Sequence, residues 1–392
     1  MPISNRTYLS GNKGEWAEIY IFLKLMSDGK VYAADSDMQK IENVFLNIIK
    51  IIREEVQGQV YAYNTGDKIQ ITLNGEKVGR PIDVQKFVEY KDILWNKLRD
   101  AFLGSELKFT DVDNFLQTIH IRKLKAPSNS KTSFGGTQDI TMQVQDYNSG
   151  ITSTIGFSCK SDFSAKATLF NASKDNTNFI YEVVGNIDDN VMDKFNSMYK
   201  ITSRKNSASA PHTATGDRMR YLKEDARCNI KFVSMCKDSA TRNLILSGGI
   251  EMPSIVAEML RYYYYENEAQ SLCSGIDNAL QHVIFTNPAN YLFENTESVY
   301  KRKISTLLYD MFTGMRLAND WDGLSSVNGG YIVVKPDGDV LAYHTCIADE
   351  FKDFLITHLG FDAPSASRHN YMKIFKENGR YYLKLNLQVR FK

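Results

Sequence analysis

Apolar and polar residues alternate one by one in two neighbouring segments near the middle of the chain. Ile140, Met142 and Val144 are separated by polar residues, and a second alternating run extends from Ile151 to Cys159. A period of two is the pattern of a half-buried strand. The connecting Tyr147-Asn-Ser-Gly150 contains an asparagine and a glycine, which tolerate the positive φ angles that hairpin turns require. The pattern therefore predicts a β-hairpin.

The length of this turn fixes which residues face each other. If Asp146 pairs with Ile151, Asp139 lies opposite Ser158, and Lys160 is one diagonal step away. Opposed Cβ atoms in such a ladder are about 5 Å apart and diagonal ones roughly 7 Å. A slip of one residue would turn the aspartate to the other face of the sheet. The predicted register thus brings a carboxylate, a hydroxyl and an ammonium group together.

A helical repeat of apolar residues precedes the hairpin, close to the N-terminus. It begins at Asn12-Lys-Gly-Glu15 and ends at Asp28-Gly29, and its buried stripe consists of Trp16, Ile19, Tyr20, Leu23 and Met26. Glu15 and Glu18 are three residues apart, so they project from neighbouring positions. Acidic residues in a first turn also suit the helix dipole, which alone would explain them.

The remaining pattern predicts an α/β (α+β) chain with a mixed sheet flanked by helices, a largely helical second half and a C-terminal β-hairpin. Strands are expected between residues 31 and 73 and at 119–125, 179–184, 371–375 and 381–391, with helices at 83–102, 188–198, 252–267 and 298–317. The polar run 203–216 is the predicted linker between a domain over 1–202, with the hairpin 137–161 at its centre, and a helical region over 217–392 that ends in the C-terminal hairpin.

Composition excludes several classes of protein. The 392 residues carry a net charge of +1, so a nucleic-acid site would depend on a local basic surface. Five cysteines without a CxxC pair indicate reduced thiols, with neither a disulfide framework nor a zinc cage. Because the sequence contains neither a signal peptide nor a run of 18 apolar residues, we expect a soluble cytoplasmic protein.

Two polar segments are candidates for DNA contact. The first contains Asn171 and Asn178, whose amides suit phosphate groups, although local loop capping explains them equally well. The second is Ser367-Arg368-His369, in which the arginine suits the O6 and N7 atoms of guanine. A salt-bridged surface arginine is the alternative interpretation.

The hairpin resembles the PD-(D/E)xK nuclease superfamily, in which an acid on one strand is followed by an acid-x-Lys triplet on the next. The triplet here is Ser158-Cys159-Lys160, so a serine stands where a metal-binding carboxylate is usual. Further stretches resemble the HpaII family of type II restriction endonucleases and span nearly the whole chain: 12–20, 139–140, 156–161, 168–173, 177–179, 321–323, 367–369 and 383–391.

This resemblance implies a bacterial enzyme that cleaves double-stranded DNA at CCGG with Mg²⁺, and a companion DNA methyltransferase that protects the same site without stable binding. It also implies that the domain over 1–202 is the nuclease core and that the region over 217–392 contributes to DNA binding. Asp139 and a second acid, Glu18 in preference to Glu15, would hold the ion together with the backbone carbonyl of Cys159. Lys160 would orient or deprotonate the attacking water, and Ser158 would at most position a water. A palindromic target makes a twofold homodimer natural without requiring one.

Two alternatives remain open at this point. The serine at position 158 would also fit a nuclease-like DNA-binding protein that has lost catalysis, although the retained Asp139 and Lys160 argue against this. A repair nuclease that recognises DNA shape would share the same chemistry but would give no discrete fragments.

Overall fold

The structure, a computed structural model, describes residues 8–102, 104–125, 139–161, 168–198, 214–266, 275–324, 329–344 and 348–392. The chain divides into two compact units, each built from two stretches of sequence: Met1–Lys166 with Ser326–Phe354, and Ala167–Ser325 with Leu355–Lys392. Of the predicted linker, residues 203–213 lie outside the described residues, and 214–216 open a helix. The division into domains at this linker stays a prediction.

The first unit combines helices with a large sheet. Along the chain its elements are α1 Lys13–Asp28, β1 Lys30–Ala34, β2 Lys40–Val56, β3 Gln59–Asn64, β4 Lys68–Leu73, β5 Glu76–Lys77, β6 Ile82–Asp83, α2 Val84–Asp100, α3 Thr110–Thr118, β7 Ile140–Asp146 and β8 Thr152–Ser161. The second unit follows with β9 Thr168–Phe170, β10 Asn178–Gly185, α4 Asp189–Ser197, α5 Ala214–Arg220, β11 Cys228–Met235, α6 Asp238–Gly248, α7 Met252–Arg261, α8 Ile276–Thr286 and α9 Thr296–Phe312.

The last part of the chain contributes strands to both units. The first unit receives β12 Gly330–Val334 and β13 Val340–His344. After α10 Ala348–His358, the second unit is completed by β14 Leu359–Phe361, α11 Ala366–His369, β15 Ile374–Glu377, β16 Arg380–Asn386 and β17 Val389–Phe391. This mixture of helices and predominantly antiparallel sheets confirms the predicted α+β class.

In the described part of the first unit, strand pairing produces a 10-stranded sheet in the order β1-β13-β12-β8-β7-β2-β3-β4-β5, with β6 beside β4. β1 also pairs with β2, so the strands β1, β2, β7, β8, β12 and β13 form a closed ring. The pairs β8–β12 and β1–β13 are parallel. The hairpin β7–β8 therefore lies inside the sheet, with a strand on each side.

The register of this hairpin is confirmed. Its ladder runs from Ile140 opposite Phe157 to Gln145 opposite Thr152, and the Asp146 N–H donates to the carbonyl oxygen of Ile151 at 3.0 Å. In the turn, Gly150 has a φ of 71°, the left-handed conformation that glycine adopts at no steric cost.

The predicted N-terminal helix is confirmed by both of its caps. Asn12 and Glu15 form a reciprocal capping box, and Gly29 ends α1 with a φ of 66°. All five residues of the predicted stripe are buried, and so are Ile21, Phe22 and Leu25. α1 is buried on more than one side because α2 and the sheet both cover it, as the ring contacts of Tyr20 with Trp95 and of Phe22 with Tyr63 illustrate.

The predicted strand at 119–125 is wrong. Residues 121–123 have no regular secondary structure, and His120 has a φ of 65°, which breaks an extended conformation. The imidazole of His120 stacks on Tyr61 at a centroid distance of 5.2 Å. Side chains of the neighbouring strands thus hold this segment in place of a sheet ladder.

In the second unit, the described strands form two small sheets, in the orders β11-β10-β16-β15 and β14-β17-β9. The predicted C-terminal hairpin is confirmed as β15 and β16, with Asn378 and Gly379 in the turn between them. The predicted strand 381–391 is not continuous, because residues 389–391 form β17 in the other small sheet. None of the helices in the described ranges combines the length and the apolar character that a membrane crossing would need.

Candidate metal and hydrolysis centre

Asp139 immediately precedes β7 and forms hydrogen bonds with β8. Its N–H donates to the carbonyl oxygen of Phe157 at 2.9 Å. Its Oδ2 accepts two hydrogen bonds, one from Ser158 Oγ at 2.9 Å and one from the Cys159 N–H at 2.7 Å. The structure therefore brings together the aspartate and the serine that the hairpin register predicted, and the serine hydroxyl orients the carboxylate.

Glu18 supplies a second acid from the middle of α1. Its side chain is half-buried, and its sequence neighbours Ala17 and Ile19 are buried. Burial and the negative charge of Asp139 raise the pKa of Glu18 to about 8, although the charges of Lys125 and Arg53 oppose this rise. Two carboxyl groups from distant parts of the sequence are thus close enough to repel each other.

Glu15 is committed to other contacts. Its Oε2 accepts the Asn12 N–H at 2.8 Å as part of the capping box, and its Oε1 forms an ion pair with Lys125 Nζ at 3.2 Å. These contacts support the preference for Glu18 as the second acid of the site.

The backbone of Lys160 lies on β8, beside β12. β12 runs parallel to β8, with Ile332 opposite Cys159 and Val333 opposite Lys160. The ladder fixes the path of the triplet next to Asp139, whereas the side chain of Lys160 lies outside the described residues.

The donor set fits a hard divalent cation. Mg²⁺ prefers oxygen ligands and retains several waters, so one or two carboxylates suffice to hold it. Asp139 and Glu18 are two such groups, and a cation between them would relieve the repulsion that contributes to the raised pKa of Glu18. No group of three or more His, Cys, Asp or Glu side chains suited to a metal ion occurs among the described residues.

Sequence patterns did not reveal Arg53, whose charge acts on Glu18, or Glu55, with which Arg53 is paired. Arg53 and Glu55 are buried on β2, where they form an ion pair with 2.7 Å between Nε and Oε1. The available signal was the alternation of Ile51, Arg53 and Glu55, which places two opposite charges on the inward-facing positions of a strand.

The residues that are predicted to contact DNA all lie in the second unit. Asn171, Ser367 and Arg368 are exposed, and His369 is half-buried with its Nδ1 accepting the Lys174 N–H at 3.4 Å. Burial and the charges of Arg368 and Lys174 lower the pKa of His369.

Asn178 holds the two predicted segments together. Its buried Nδ2 donates to the carbonyl oxygens of His369 at 3.0 Å and Asn370 at 3.2 Å, and its Oδ1 accepts a hydrogen bond from Asn386 Nδ2 at 2.6 Å. The amide is therefore occupied within the protein, and it positions the exposed residues 367 and 368.

Comparison with known proteins identifies the family. The HpaII restriction endonuclease family model matches residues 12–391. The type II restriction enzyme HpaII of Haemophilus parainfluenzae is 33% identical over 386 residues, which cover 98% of this chain and 99% of that protein. No solved structure is significantly similar to the chain. The chain therefore belongs to the HpaII restriction endonuclease family and is a site-specific deoxyribonuclease.

Proposed function

We propose that the protein hydrolyses phosphodiester bonds of double-stranded DNA at the palindrome CCGG in a Mg²⁺-dependent reaction, using a PD-(D/E)xK core. One observation carries this proposal: two carboxyl groups lie close enough to interact. Asp139 is held by hydrogen bonds from Ser158 and Cys159, and its charge acts on the half-buried Glu18 of α1. The relative from H. parainfluenzae supports the assignment to type II restriction enzymes.

Each residue of the site has a proposed role. Asp139 and Glu18 would hold Mg²⁺ together with the carbonyl oxygen of Cys159, and the bound ion would lower the pKa of a water and polarise the phosphoryl oxygen. Lys160 would orient the attacking water and stabilise the negative charge that develops on the phosphate. Ser158 Oγ acts on the orientation of Asp139 through its 2.9 Å hydrogen bond.

DNA recognition is assigned to the second unit. Arg368 is exposed on α11 and suits a bidentate contact with guanine, which the CCGG palindrome offers on both strands. Asn171, Ser367 and His369 would contact the DNA beside it, and Asn178 would act as a positioning residue.

The biological setting follows from the proposed activity. An enzyme that cuts CCGG in a bacterial cytoplasm requires a DNA methyltransferase that modifies the same site in the host. Since a palindrome has twofold symmetry, a homodimer would present equivalent residues to both strands.

The test is a digest of plasmid DNA with Mg²⁺, followed by sequencing of the fragment ends. We expect discrete cuts at CCGG. Asp139→Ala and Lys160→Ala should each lower the single-turnover rate by ~10³-fold or more while specific binding in Ca²⁺ persists. Asp100→Ala, which removes an exposed carboxylate of the same unit, is the matched control.

Two results would contradict the proposal. Specific binding by the wild-type protein without any cleavage would favour a DNA-binding protein that has lost catalysis. Cleavage without discrete fragments would favour a nuclease that recognises shape. Near-wild-type cleavage by Asp139→Ala or Lys160→Ala would refute the residue roles alone.

A further inference from the structure

Residues 122 and 123 are held by a buried pair of opposite charges. Arg53 Nη2 donates to the carbonyl oxygen of Lys123 at 2.9 Å, and Glu55 Oε2 accepts the Arg122 N–H at 2.9 Å. The same two side chains are joined to each other by the 2.7 Å ion pair. The Arg53–Glu55 pair, here called the clamp, therefore hydrogen-bonds to one N–H group and one carbonyl oxygen of this irregular segment.

Burial of this pair is poorly explained by stability alone. Arg53 is 3% exposed and Glu55 is 0% exposed, so both charges have lost their hydration. Removing a charged group from water is unfavourable, and apolar residues of similar size often stabilise a protein equally well. Apolar residues could not form the hydrogen bonds that fix the backbone at positions 122 and 123.

The clamp determines where the next cation lies. Leu124 is buried, and Lys125 follows it with a side chain that is 62% exposed. Lys125 Nζ is 3.2 Å from Glu15 Oε1, and its charge opposes the rise in the pKa of Glu18. An exposed ammonium group is thus held beside the carboxyl groups of the site.

The partner of Lys125 can be exchanged at little cost. Ion pairs with a solvent-exposed partner contribute little to stability, because water and salt screen the charges. Glu15 would keep its capping-box bond from the Asn12 N–H if the lysine moved away. A DNA phosphate that approaches the carboxyl groups would offer the ammonium group a new anionic partner, and lysine is a common contact for phosphate groups.

We propose that Lys125 binds a phosphate of the DNA strand at the carboxylate site, and that Arg53 and Glu55 are positioning residues that fix it there. The inference rests on the proposed nuclease function. It adds a phosphate-contacting cation that is distinct from Lys160 and comes from another part of the chain.

The salt dependence of binding tests the contact. Specific DNA binding is measured in Ca²⁺ over a series of salt concentrations for wild type, Lys125→Ala and Lys97→Ala. Lys97 is the matched control because it lies in the same unit and forms an ion pair with Asp111, also at 3.2 Å. We expect Lys125→Ala to reduce the slope of log K against log salt by about 1, and Lys97→Ala to leave it unchanged. An unchanged slope for Lys125→Ala would overturn the proposal.

The role of the clamp is tested by replacing both charges with apolar side chains in Arg53→Met/Glu55→Met. A positioning pair predicts the same loss of slope, with no further loss when Lys125→Ala is added. Full additivity of the two changes would refute the positioning role. If the double variant does not fold, the comparison of Lys125→Ala with Lys97→Ala still decides the phosphate contact.

The outcome is separable from that of the proposed function. Failure of the wild-type protein to cleave plasmid DNA would contradict the nuclease proposal. Normal wild-type cleavage together with an unchanged slope for Lys125→Ala would refute this inference alone.

Discussion

Replacing Glu18 by glutamine should stabilise the metal-free protein at alkaline pH. Burial and the charge of Asp139 raise the pKa of Glu18 from 4.5 to about 8. Between these values, the folded protein retains a proton that the unfolded chain has released. The free energy of unfolding therefore falls as the pH rises through this window, and it is lowest once Glu18 is ionised.

The size of the effect follows from the same values. At 1.36 kcal/mol per pKa unit, the rise from 4.5 to about 8 corresponds to an upper limit of about 5 kcal/mol. Since Glu18 is only half-buried, water screens part of this cost, and we expect about 2 kcal/mol. For a unit of this size, such a gain corresponds to an increase in Tm of roughly 4–8 °C.

The assay is thermal unfolding in EDTA across the pH range. Glu18→Gln should have a higher Tm than wild type near pH 9, and the difference should disappear near pH 4, where the wild-type carboxyl is protonated in both states. Ca²⁺ should raise the Tm of wild type but not that of Glu18→Gln, because the variant lacks a ligand. The stabilisation of wild type by Ca²⁺ should also increase with pH up to about pH 8, since the ion must displace a proton.

The matched control is Glu89→Gln, which removes an exposed carboxylate that is paired with Lys86 at 2.8 Å on α2. This change should alter the Tm little at any pH, because exposed pairs contribute about 0–1 kcal/mol. If Glu18→Gln instead unfolds at a lower temperature than wild type near pH 9, the reasoning from burial and repulsion is wrong. The ionised carboxylate would then be stabilised by its surroundings.

Two further predictions concern the second unit. Arg368→Ala should reduce the preference for CCGG over a duplex with one changed base by about 1–3 kcal/mol, measured as a ratio of Kd values, whereas the exposed control Arg380→Ala should leave this ratio unchanged. An unaltered ratio for Arg368→Ala would assign base recognition to other residues. Asn178→Ala should lower stability by roughly 2–4 kcal/mol because it leaves the carbonyl oxygens of residues 369 and 370 without their amide donor. Asn176→Ala, which removes a single 3.2 Å bond to Ser173 Oγ, should lower the Tm less, and equal losses would argue against the positioning role of Asn178.

Local signals were sufficient for the hairpin and for α1. A turn of four residues between two alternating runs leaves one register that keeps the apolar side chains on the same face. In this register Asp139 lies opposite Ser158 and accepts its hydrogen bond. The caps at Asn12 and Gly29 likewise determine where α1 begins and ends. In both cases, the residues that decide the structure are close to each other in the sequence.

Long-range pairing could not be predicted in the same way. The parallel alignment of β12 with β8 joins segments that lie far apart in sequence, and a parallel pair has no connecting turn to indicate its register. The failed strand at 119–125 has a related cause. Arg53 and Glu55 of β2 form hydrogen bonds with backbone groups of residues 122 and 123. The sequence of this segment contains no pattern from which these bonds could be predicted.

The charges around Glu18 suggest why this region departs from the rules of a stable core. Asp139 and burial disfavour the ionised carboxylate, whereas Lys125 and Arg53 favour it. A core selected for stability alone would replace the acid by a neutral side chain, and Glu18→Gln should accordingly be more stable near pH 9. Under the proposed mechanism, the same variant should not cleave DNA, because a divalent cation needs the charge that destabilises the empty site. A variant that was both more stable and fully active would show that Glu18 lies beside the metal site without belonging to it.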